Sequence, residues 1–156
     1  MELDIDKVKD FIRESSKETI IYIGCDSERM RRKRKGIKMV RYTVAVVAHM
    51  DGKHGARVFG GIDYEEVVDS VKSKPFNRLW KEAERVVALY EELKDVLDGR
   101  EFELHVDISA SKDEGSNVAF DATKGYILSM TGVMPKFKPD AFAASKAADG
   151  FFAKVN

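Results

Sequence analysis

The feature that most limits the fold is residues 76–97, where Leu79, Ala83, Val86, Tyr90 and Leu93 recur on one helix face. Asp98-Gly99 closes the segment. Both flanks are β-like. Residues 19–26 (TIIYIGCD), 37–50 and 56–62 precede it as strands. After it, residues 101–109 (EFELHVDIS) alternate, with Phe102, Leu104, Val106 and Ile108 on one side. A helix of this length between strands is the crossover that parallel neighbours need. The first and fourth strands are therefore expected side by side and parallel in a mixed sheet.

The remaining segments fill in around that unit. Residues 4–17 read as an amphipathic helix with Ile5, Val8, Phe11 and Ile12 on one face and Asp4 as its N-cap. The basic stretch through Gly36 reads as a turn, and MDGKHG at 50–55 as a hairpin turn. Residues 64–73 are ambiguous, with a short helix before Lys74-Pro75 as one reading. Ser116 is placed as the cap of a helix to Met130 closed by Gly132. A short strand, VMPKFK, and an alanine-rich helix over 140–154 end the chain. The expectation is an α/β chain of order βββαβαβα after a leading helix, with a five-stranded mixed sheet and helices on both faces. With 156 residues it forms one domain, 1–156, to which residues 1–17 are an appendage.

Lys+Arg and Asp+Glu number 27 each, so net charge points to no particular partner. A single cysteine cannot form an internal disulfide, which suits a reducing compartment. No apolar run is long enough for a bilayer, and MELDIDKVKD lacks the apolar core of a signal peptide. The expected location is the cytoplasm, with no membrane partner.

Asp26 ends one apolar strand and Asp107 falls near the end of another. On parallel neighbours both would lie at the carboxyl edge of the sheet, where open α/β sheets bind ligands. Carboxylates held together repel, and Mg²⁺ or Mn²⁺ is their natural partner. Two helices offer further acids. Glu82 borders the buried face of 76–97, whereas Glu84 points to solvent on the same wheel and is the alternative ligand. Asp149 shares a stripe with Phe142, Ser145 and Phe152. Each acid also has a plain structural reading. Asp26 or Asp107 can be a turn residue, Glu82 can pair with Arg78 or Arg85, and Asp149 can mark helix fraying. His105 reads as a packed or hydrogen-bonding residue that could support the site, and Cys25 as core.

The motifs IGCDS, HVDIS and KPDAFAASKAAD, in this element order, resemble the YkuK-like family of predicted nucleases in the ribonuclease H-like superfamily, over residues 18–154. The resemblance implies four acidic positions occupied by Asp26, Glu82, Asp107 and Asp149. It also implies metal-dependent phosphodiester hydrolysis by two divalent ions about 4 Å apart, with Asp26 bridging them. No catalytic role is assigned to Ser27, Ser109 or Lys138.

Arg29, Arg31, Arg32, Lys33, Arg34 and Lys35 crowd the connection between the first two strands. They are either a hairpin that grips nucleic-acid phosphates or a solvated loop. Trp80 and Phe76 read as packing residues rather than base-stacking platforms. Two competing functions remain. One is a non-catalytic nucleic-acid-binding or assembly module of the same fold. The other is a phosphotransfer domain with Asp26 as nucleophile, weakened because no Walker-type glycine loop is present.

Overall fold

The computed structural model describes residues 2–31, 35–50, 55–67, 76–106, 114–137 (backbone alone over 114–119) and 143. Strands β1 (Ile20–Arg29), β2 (Met39–His49), β3 (Ala56–Glu66) and β4 (Phe102–Val106) form a sheet in the order β3-β2-β1-β4. The β1–β2 and β2–β3 pairs are antiparallel, and β1 and β4 run parallel, as the crossover demands. Helices α1 (Ile5–Glu14), α2 (Phe76–Leu97) and α3 (Glu114–Thr131) are the other described elements.

Helix α2 occupies the span its apolar period predicts and buries Ala83, Val86, Leu93 and Val96 in the main core, while Leu79 packs in a smaller cluster with Phe76, Phe120 and Phe137. Tyr90 stacks on Phe102, ring centroids 5.4 Å apart. Helix α1 begins at its expected cap, where the Asp4 carboxylate accepts from the Lys7 N–H at 3.1 Å. Val8 and Ile12 are fully buried on the same side, and Phe11 meets Phe59 edge-on at 5.4 Å. Leu3 crosses β3 so closely that a Cβ at Gly61 would come within 2.7 Å of its backbone nitrogen. Only glycine fits there. At the far end of α2 the chain turns through Asp98 and Gly99, both at positive φ (45° and 80°). Arg100, only 5% exposed, then reaches back. Its guanidinium donates to the carbonyls of Ser15, Ser16, Val96 and Leu97, which end α1 and α2.

Several boundaries differ from expectation. Strand β1 continues to Arg29, into the predicted basic turn, because β2 is long enough to pair with every added residue. Asp26 therefore lies inside a strand rather than at its end. The same ladder carries β3 to Glu66, so residues 64–66 are strand and not the start of a helix. Helix α3 already includes Ser116, which is an interior residue and not its cap; Gly132, at φ 73°, ends it. The predicted fifth strand is a single parallel bridge between His105 and Lys136. Two backbone bonds hold it: Val106 N–H to Lys136 at 3.0 Å and Lys136 N–H to Leu104 at 2.8 Å. The sheet thus has four described strands, not five. Of the helix expected over 140–154 only Ala143, fully buried, is described.

Candidate functional site

Alternation along β1 sorts its residues between the two faces of the sheet. Ile21, Ile23, Cys25 and Ser27 share the face under α2 with Tyr42 of β2 and with Asp63 and Glu65 of β3. Asp26 and Glu28 lie on the other face with Arg41 and His105. Cys25 is fully buried, as expected of a core residue.

Glu82 descends from α2 onto the first of these faces and is 1% exposed, whereas Glu84 is exposed. The Ser27 hydroxyl donates to Glu82 Oε1. The Ser27 backbone N–H donates to Asp26 Oδ1 at 2.9 Å. Arg78, one helical turn before Glu82, adds a third connection through Nη1. That nitrogen donates to the Ser27 carbonyl at 3.1 Å and to its hydroxyl oxygen at 3.0 Å. One serine thus ties together a strand aspartate, a helix glutamate and a guanidinium.

A second group sets how α2 is rotated. Arg85 grips Asp63 with two nitrogens, at 3.0 and 2.5 Å, and Glu65 at 3.0 Å, while lying over the Tyr42 ring at 3.7 Å. Lys81 pairs with Glu65. Residues 81 and 85 bracket Glu82, so clamping them to β3 directs Glu82 at Ser27. The electrostatics reflect this crowding. Burial pushes the Cys25 thiol well above its usual range, and the Glu82 charge adds to the shift. Burial also raises the Tyr42 hydroxyl, against the opposing pull of Arg85. Burial alone would raise Glu65 too, but hydrogen bonds from Lys81 and Arg85 outweigh it and hold the carboxyl below the ordinary range.

On the opposite face His105 is fully buried. Its Nδ1 accepts the Ala143 N–H at 3.1 Å, which leaves the ring proton on Nε2, 2.8 Å from Glu103 Oε2. The hydrogen-bonding role expected of His105 is what the structure shows. Tyr22 packs on the ring at 5.4 Å, and Arg41 pairs with Glu28 at 2.6 Å on the same face. Trp80 lies against Phe76 and Tyr126, at 6.0 and 4.7 Å, as a packing residue.

Of the four acids read from the sequence, Asp26 and Glu82 both bond to Ser27, through different atoms of it and from opposite faces of the sheet. Asp107 and Asp149 lie outside the described residues, as do Arg32, Lys33 and Arg34. Arg29 ends β1 half-buried, and Arg31 and Lys35 are exposed. Among the described residues no group of three or more His, Cys, Asp or Glu side chains is arranged to hold a metal ion. From the sequence alone Ser27 carries no assigned role, and Arg78 and Arg85 enter only as partners of Glu82. The available signal was position: Ser27 follows Cys25 on the buried face, and Arg78 precedes Glu82 by one turn.

A family model described as ribonuclease H-like matches residues 4–152, nearly the whole chain. The chain belongs to the ribonuclease H-like family. The match also supports the YkuK-like assignment drawn from its motifs. No curated protein and no solved structure matches the chain. Ribonuclease H-like membership associates this fold with nucleases and with nucleic acid. No helix among the described residues is long and apolar enough to cross a membrane.

Proposed function

We propose that this ribonuclease H-like protein is a metal-dependent nuclease. It hydrolyses phosphodiester bonds in nucleic acid with two divalent ions, Mg²⁺ or Mn²⁺, held by Asp26, Glu82, Asp107 and Asp149. The observation that carries this reading is Glu82, a helix carboxylate 1% exposed and bonded to the residue next to Asp26. Burying a carboxylate costs several kcal/mol unless donors or cations offset it, so a structural acid has little reason to be there. The parallel register supports the partner acid, since it pairs Cys25 with Val106, and the residues that follow are Asp26 and Asp107.

The residues fit the ions. All four candidate donors are carboxylates, the hard oxygen ligands that Mg²⁺ and Mn²⁺ take. When bound, the ions supply an activated water and charge compensation at the leaving oxygen. Ser27 holds Asp26 and Glu82 in fixed orientations, and the Arg85 clamp keeps α2 from rotating Glu82 away. The cations from Arg29 to Lys35 attract the phosphate backbone by a field that salt screens.

Calorimetric titration of Mn²⁺ into wild type, Asp26→Asn and Glu82→Gln tests the site. The expected result is binding by wild type that both substitutions abolish. Incubation with Mn²⁺ or Mg²⁺ and single strands, duplexes, RNA–DNA hybrids and junctions tests the chemistry. Wild type that binds no Mn²⁺, or cuts nothing in the panel, overturns the reading in favour of a non-catalytic nucleic-acid-binding module, which the basic segment after Asp26 would serve equally well.

A further inference from the structure

The cations around this site are not alike. Arg41 is committed to Glu28, Lys81 to Glu65, and Arg85 to Asp63 and Glu65. Each is neutralised where it stands. Arg78 is bonded instead to uncharged oxygens, the carbonyl and hydroxyl of Ser27, and among the described residues no carboxylate pairs with it. It keeps its full charge one turn from Glu82 and beside the residue that follows Asp26.

Its anchoring is also one-sided. Both bonds leave from Nη1, so Ser27 fixes the guanidinium plane, and among the described residues nothing engages Nη2. Nη2 carries two N–H donors of a planar cation, and a guanidinium held at a fixed angle can direct them at phosphate oxygens. Nε is shut off from water and has no hydrogen-bond partner among the described residues, so Nη2 is the end that a phosphate can reach. A half-buried arginine held by a serine differs from the exposed cations of residues 31 and 35. Those can attract a backbone but not fix one phosphate.

We propose that Arg78 is a phosphate-binding residue of this site, taking one nucleic-acid phosphate on Nη2 of its guanidinium while Ser27 holds it at a set position relative to Asp26 and Glu82. This rests on the nuclease reading for the identity of the ligand, but not on metal binding or turnover.

The test is therefore made without metal. Binding of short fluorescein-labelled DNA and RNA oligonucleotides is followed by anisotropy in EDTA across a salt series, for wild type, Arg78→Gln, Arg78→Lys and Ser27→Ala. Arg78→Gln should weaken binding by about tenfold and lower the salt slope by about 1. Arg78→Lys should restore the slope but not the full affinity, since it has charge without the fork. Ser27→Ala should keep the slope and lose part of the affinity. Mn²⁺ affinity of Arg78→Gln, measured by calorimetry, should not fall. If Arg78→Gln binds like wild type with an unchanged slope, the inference is overturned and the nuclease reading survives. If Arg78→Gln loses Mn²⁺ and oligonucleotide together, Arg78 is a structural support and the inference is again overturned. If wild type binds no oligonucleotide, the nucleic-acid reading itself falls and the phosphate role with it.

Discussion

Helix α2 carries an arginine problem at each end and solves it in two ways. Beyond its carboxyl end Arg100 is almost fully buried and, among the described residues, bonded only to backbone carbonyls, four of them, from the ends of two helices. The negative ends of both helix dipoles complement its charge. Near the amino end Arg78 and Arg85 meet side chains, and the network they join includes two candidate ligands. The first arrangement has every partner built into the main chain and nothing left to titrate or bind. The second is made of groups that can ionise, exchange partners and accept an ion. Burial of a charge is thus not by itself a sign of function; what the charge is bonded to decides.

The sharpest way to break this contrast is substitution at the two ends with stability and activity read separately. Asp26→Asn or Glu82→Gln should reduce hydrolysis at least about 10³-fold, with unfolding midpoints close to wild type. Parallel losses of fold and activity would mean that the carboxylates are structural after all. Arg100→Met should do the reverse. It strands four carbonyls and should cost about 3 kcal/mol in denaturant unfolding, with cleavage retained at low temperature. Arg85→Leu lies between, because it removes both a support for the fold and a guide for Glu82. About 1–2 kcal/mol of stability should go, together with a several-fold weaker Mn²⁺ affinity.

Acid should reach the clamp too. The Glu65 carboxyl is held below its usual range, so its contribution is complete above the ordinary carboxylate pKa and is lost as pH falls through the depressed value. Unfolding followed down through that acid range should show a smaller pH dependence in Glu65→Gln than in wild type. The smallest effect expected is chemical. Cys25, buried and with its thiol pushed up, should resist Ellman's reagent in the native protein and react on unfolding.

Much of the fold is legible in the order of residues because apolar spacing dictates faces. The period of 76–97 marks α2, and the length of that helix implies the parallel β1–β4 pair. Boundaries set by a partner strand are not legible in this way. Nothing in the residue types of Arg29 or Glu65 says strand, and each is strand because β2 offers a residue opposite it. The site divides similarly. Glu82 is preferred over Glu84 by the helical wheel, and the structure buries the first and exposes the second. That Ser27 would join Glu82, Asp26 and Arg78 depends on how α2 is rotated over β1. That rotation is set by Arg85 on Asp63 and Glu65, charges a strand away that no periodicity connects.

The bond between His105 and Ala143 spans 38 positions of the chain. A ribosome makes all four described strands and α2 before it reaches residue 143, and early regions can pack while later ones are still being added. His105 must therefore wait, its Nδ1 without the N–H that the finished protein supplies. A chain released at residue 137 should assemble the sheet yet lack the Ala143 N–H that this nitrogen accepts. Comparing amide exchange of β4 in that chain and in the full chain would show whether the last piece of synthesis also steadies the face on which Asp26 stands.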